Sequence, residues 1–347
     1  MAEFWRFGAT PSPATEVAAH ARRFEELGWD GLAVGEDHGL LSAAWVYLAQ
    51  AAAATTTLKL GTGVAVPIRD PLLAASAVAT LQGMSGGRVV LSLGRGDGAM
   101  AQLGRGPVSL KDFLTYVEQV RGYLHSEIVD RDGFPSTMAT LFVNDPSLAC
   151  DPAPVDVSAT GPQLIRAAAK VADGITFAVG ADVRRLASLV KMARDARRDA
   201  GLDLEGFRLG AYIPAAVAPG GDRAYAREIV RGAVLRHARF SAFEGELLDD
   251  VDPADEEGIR IAFDVTRDHV RKVPKPADFS VASALPDDFV DRFAIIGEAK
   301  ECAERFDEII AAGVDRLVVI VRVPTTDPGE ENAARIAQEV LPLVGAG

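Results

Sequence analysis

Cysteine is almost absent from this chain of 347 residues: Cys150 and Cys302 stand far apart and form no CxxC pair. Neither a disulfide framework nor a zinc site of the usual ligand spacing is expected, and a reducing, cytoplasmic setting fits. Positive charge is also in deficit. With 36 Lys+Arg against 49 Asp+Glu, the formal charge is −13, which argues against a partner such as nucleic acid or an anionic membrane. Long hydrophobic runs are missing too. No stretch approaches about 18 uncharged apolar residues, and the opening Met1–Gly8 has neither the basic head nor the apolar core of a signal peptide, so a soluble chain is expected. The five histidines, His20, His38, His125, His237 and His269, are scattered and form no HExxH; there is no GxSxG elbow and no Walker loop.

What is present suits an α/β protein. A 48% hydrophobic content over this length supports one large domain or two ordinary ones. The 33 glycines and 19 prolines are spread along the chain, the pattern of many tight turns between short elements. Short β-branched runs alternate with longer amphipathic ones. Strands are expected near residues 5–8, 31–34, 58–66, 89–93, 155–159, 174–179, 208–218 and 316–321. Helices are expected near 12–27, 42–55, 71–84, 110–124, from 161, and near 183–200, 298–311 and 331–343. Eight strand–helix repeats predict a single (β/α)8 TIM barrel spanning 1–347, with excursions at 126–154 after strand four and 239–292 after strand seven.

In such a barrel the chemistry sits at the carboxyl ends of the strands. Strand two runs into Glu36-Asp37-His38. The bland alternative is a turn whose carboxylates cap the next helix, but an imidazole beside carboxylates can titrate near neutrality and act as an acid. Strand three carries Gly61-Thr62-Gly63-Val64-Ala65-Val66, where glycine signals either a barrel bend or the close approach of a ligand. Strand four ends in Gly94-Arg95-Gly96-Asp97-Gly98, which reads as a flexible loop presenting a cation and an anion. Thr160-Gly161-Pro162-Gln163 has the form of a helix start whose free N–H groups suit an anion.

In order, these motifs resemble the luciferase-like oxidoreductase superfamily. The similarity is carried by Trp29 to Val34 with Asp37-His38, Leu60 to Val64, Ile68-Arg69-Asp70-Pro71, Ser85 to Val89, Leu93 to Asp97, Ser158 to Pro162, Ala172-Asp173-Gly174 and Gly297 to Asp315. The loop from Gly94 to Asp97, followed by Leu103-Gly104-Arg105 and Pro107 to Leu110, is most similar to the methylenetetrahydromethanopterin reductase branch. The resemblance implies a TIM barrel, a homodimer, a small-molecule substrate, no metal, and the deazaflavin coenzyme F420, with FMN as the alternative. It implies a cis peptide at Gly63–Val64 behind the coenzyme ring, and His38 and Asp97 as the catalytic acid–base pair. Asp37, Gly63, Val64, Val66, Arg95, Gly96, Thr160, Gly161, Gln163 and Leu164 then fall on coenzyme-binding positions, with Arg69, Arg95 and Arg105 offsetting the coenzyme's negative tail. Two departures stand out. Gly180-Ala181 replaces a lysine of the sugar-phosphate dehydrogenase branch, which disfavours glucose 6-phosphate, and Asp70 stands where several relatives show histidine. The rival functions are an FMN-dependent monooxygenase and a non-catalytic flavin-binding protein.

Overall fold

Short buried runs become parallel strands in the computed structural model, which describes residues 2–8, 14–37, 43–148, 150–243, 246–271, 279–321 and 327–346. The strands are β1 (Glu3–Gly8), β2 (Gly31–Val34), β3 (Lys59–Thr62), β4 (Val89–Leu93), β5 (Val155–Ala159), β6 (Gly174–Phe177), β7 (Arg208–Val217) and β8 (Arg316–Ile320). Each pairs in parallel with the next, and β8 returns to β1 through Glu3↔Arg316, so the sheet closes into the expected eight-stranded barrel. Among the described residues no helix is long and apolar enough to cross a membrane.

The period of two along β1 shows how the barrel is filled. Phe4 and Arg6 point outward, the first edge-on to Phe306 at 5.3 Å and the second 4.3 Å over the Phe24 ring. Trp5 and Phe7 belong to the separate inner cluster that also holds Ala33, Tyr212 and Val318. The Trp5 indole explains two glycines, because a Cβ at Gly31 or Gly61 would meet that ring at 2.4 or 2.6 Å. Gly61 is therefore a packing glycine. Polar residues fill the lower interior, where Arg316 reaches from β8 to Asp156 on β5 at 2.9 Å. Asp156 also accepts from Ser92 Oγ at 2.8 Å and Thr176 Oγ1 at 2.7 Å.

Several expected elements differ in the structure. β3 stops at Thr62, and Ala65 then rejoins the sheet by one bridge to Leu93. The stretch read as a flexible loop after β4 turns at Gly96, whose φ of 85° suits glycine, and enters a short helix, Asp97–Gln102. The excursion at 126–154 holds a hairpin of Val129–Arg131 with Phe134–Ser136. Arg131 pins it by meeting both Asp70 oxygens, at 2.9 and 2.5 Å, while Asp70 also caps the helix Pro71–Ser85 through the Leu72 N–H. The departure at Asp70 thus has a structural role. The excursion at 239–292, expected to lack strands, contains a two-residue pairing of Ala242–Phe243 with Glu246–Leu247 and the helix Glu256–Arg271. Beyond it, the short strand Ile295–Gly297 pairs with the distal end of β7. The last helix starts at Asp327 and continues through a wider turn at Ile336–Val340.

Candidate active site at the barrel mouth

Glu36 organises the mouth. Its carboxylate is 1% exposed and accepts from the Trp45 indole at 2.9 Å and the Val66 N–H at 3.1 Å, and it is paired with Arg69. The Glu36 N–H in turn donates to the Val64 carbonyl at 3.0 Å. One buried acid thereby fixes residues 64–69 against the end of β2, with its charge matched as a buried carboxylate requires. Arg69, expected to face an anionic coenzyme tail, is committed to Glu36.

Between the groups that Glu36 holds, the Gly63–Val64 peptide is cis. A Cβ on Gly63 would lie 3.1 Å from both the Phe7 ring and the Ala33 methyl, and one on Gly94 would strike Val64 Cγ2 at 2.7 Å. Glycine at 63 and 94 lets this corner close while the Val64 side chain stays half-buried. Gly96 likewise lets Val66 and Met100 approach, since its Cβ would meet Met100 Cγ at 2.6 Å.

Asp37 is drawn to two other elements. Gln102 Nε2 donates to it at 2.5 Å and Arg236, from the helix Arg223–Ala238, lies 3.3 Å away. His38 lies outside the described residues, as does the side chain of Asp97, whose backbone opens the helix Asp97–Gln102. Arg95 donates from Nε to the Val108 carbonyl at 2.6 Å. After β5, Gly161 is the N-cap of the helix Pro162–Val171 and no side chain among the described residues caps it, which leaves first-turn N–H groups available to an anion. Thr160 and Leu164 flank them half-buried, Gln163 is exposed, and Leu248 from the second excursion lies 3.9 Å from a Cβ built on Gly161. At Gly180, φ is +71° and a Cβ would meet the Phe293 carbonyl oxygen at 2.5 Å, which accounts for the absence of a side chain there.

Sequence reasoning passed over His237, one of the five scattered histidines. Its ring is buried among Phe7, Tyr212 and Phe240, at centroid distances of 6.0 to 6.1 Å. Burial pushes the imidazole down to about 4, against a backbone hydrogen bond that opposes the shift and with Arg236 and Arg239 adding to it. The available signal was its spacing from Ala233 and Val234 on the buried face of one helix.

Residues 2–316 match the luciferase-like monooxygenase family, and the chain belongs to that family. Among curated relatives, the 5,10-methylenetetrahydromethanopterin reductase of Archaeoglobus fulgidus is 29% identical, across 83% of this chain and 83% of that protein. The enzyme of the same name from Methanopyrus kandleri is 26% identical, across 89% of this chain and 92% of its own. The solved structure of the coenzyme F420-dependent tetrahydromethanopterin reductase from Methanopyrus kandleri superposes with a TM-score of 0.73 at 20% identity. It covers 98% of this chain and 99% of the other, and shows the same fold.

Proposed function

We propose that the protein is an F420-dependent oxidoreductase acting on a small organic substrate, with a methylene-tetrahydropterin-like or other unsaturated metabolite as the substrate class. The observation that carries this reading is similarity along most of the chain to reductases, one of them F420-dependent by name. The mouth fits such a coenzyme: Val64 presents a half-buried apolar face beside Gly63 and Gly94, and the uncapped helix start at Gly161 offers donors to a phosphate. When bound, the deazaflavin supplies hydride exchange at its reactive carbon.

The roles of this chain follow from that reading. Gly63, Val64 and Val66 form the wall for the ring, held by Glu36. Arg95 and Gly96 line the approach from β4. Thr160, Gly161, Gln163 and Leu164 form the phosphate seat, and Asp37 ties the end of β2 to the helices at 97–102 and 223–238. His38 and Asp97 handle the proton that accompanies reduction. Gly180 leaves no cationic side chain for a sugar phosphate.

FMN is the competing cofactor, favoured by the family's monooxygenase members. Two measurements test the reading. Binding of F420 should weaken steeply as salt rises, because its tail is anionic, and His38→Ala or Asp97→Asn should lower turnover with binding retained. Salt-insensitive binding would count against the phosphate seat, and unaltered turnover in both variants would remove the acid–base assignment.

A further inference from the structure

His237 carries a hydrogen-bonding atom for which the fold has no use. Its Nδ1 lies 2.9 Å from the Ala233 carbonyl. A carbonyl can only accept, so the proton sits on Nδ1 and Nε2 is left with its lone pair. Among the described residues no hydrogen-bonding group meets Nε2. The residue is 9% exposed, and Nε2 is not among the fully enclosed polar atoms that lack a partner, so it stays open to a donor from outside the protein.

The surroundings indicate what that something resembles. The Phe7 ring, 6.1 Å from the His237 ring, is the same ring that closes on Gly63, so the imidazole stands one side chain away from the Gly63–Val64 corner. Phe7 and Phe240, whose rings meet the imidazole, and Val64, which packs in the same cluster as Phe7, are each only half-buried, so the surface beside His237 is apolar. The charged groups nearest to it are engaged elsewhere. Arg236 pairs with Asp37, and Arg239 lies 4.3 Å over the Phe240 ring with its Nε donating to the Arg236 carbonyl. Tyr212 is the titratable group on the barrel side, and burial pushes its hydroxyl upward, so it too stays neutral. A neutral imidazole in an apolar wall accepts a hydrogen bond; it does not attract an anion.

We infer that Nε2 of His237 is the substrate-recognition acceptor of the mouth, receiving a hydrogen bond from an O–H or N–H group on a substrate whose remaining surface is apolar. The inference rests on the mouth being the substrate site of the proposed oxidoreductase, and it narrows the substrate class of that reading. Burial agrees with the role by holding the ring unprotonated through the neutral range.

The test uses two probes of matched shape, 4-methylphenol and its methyl ether, titrated calorimetrically into the whole protein without coenzyme. Wild type should favour the phenol by about threefold to tenfold, the worth of one ordinary hydrogen bond. His237→Phe should bind both probes as wild type binds the ether. In parallel, the Nε2 resonance of 15N-histidine-labelled wild type should move on adding the phenol and stay still with the ether, a readout that survives if the variant fails to fold. No preference in wild type, a preference that persists in His237→Phe, an unmoved Nε2 resonance, or failure of both probes to bind would overturn the inference. A separate F420 titration keeps the two proposals apart. Coenzyme binding without the His237-dependent preference sinks only this inference, and the preference without coenzyme binding sinks only the proposed cofactor.

Discussion

The lower interior of the barrel and its mouth handle polar groups in opposite ways. Below, Asp156 collects donors from Ser92, Thr176 and Arg316 on three other strands, all buried, with Arg316 Nε the exception in that network. Above, Glu36 is equally well satisfied, but among the described residues Nε2 of His237 meets no donor and no side chain caps the helix Pro162–Val171. The lower network satisfies the Asp156 carboxylate without a ligand and serves stability. The mouth combines one rigid clamp with unused donors and acceptors, the arrangement of a site that a small molecule completes.

The sharpest break of this contrast is Asp156→Ala. Removing one partner of a buried ion pair strands Arg316, and the loss should be about 3–5 kcal/mol in denaturant unfolding. Acid should act next, through His237. Its folded value near 4 lies below the ordinary 6.5, so between those values the unfolded chain binds more protons than the folded one. Stability is therefore full above about pH 6.5 and falls by up to about 3 kcal/mol as pH drops towards 4. His237→Phe should flatten that part of the pH–stability curve. Glu36→Ala comes third, at about 2 kcal/mol, since it frees the Val66 N–H, the Trp45 indole and Arg69 together. Unlike Asp156→Ala, it should also weaken coenzyme binding, and equal coenzyme affinity in wild type and Glu36→Ala would erase the distinction between the two regions. The smallest effect belongs to Arg131→Ala. That pair with Asp70 is partly exposed, and its loss should cost roughly 0–1 kcal/mol in thermal unfolding.

How much of this was legible in the sequence depended on contact range. β2, β4, β5 and the helix Leu110–Leu124 have the boundaries expected from periodicity, because their patterns are local and long enough to read. The barrel and the cis bond at Gly63–Val64 were also foreseen, the latter from the family resemblance. The six-residue helix after Gly96 and the three-residue strand Ile295–Gly297 were not, since neither completes a recognisable period. Gly61 was ambiguous until the Trp5 indole was seen against it. The link from Asp37 to Arg236 joins residues 199 apart, and the commitment of Arg69 to Glu36 crosses 33. His237 was one of five scattered histidines in the sequence, because its surroundings are three rings from β1, β7 and the segment after its own helix.

The central claim is that this mouth holds a deazaflavin. Equilibrium titration of one protein sample with F420 and with FMN, each followed by fluorescence, addresses it most directly. The account predicts saturable binding of F420 and markedly weaker binding of FMN. Tight binding of FMN with no response to F420 would contradict it.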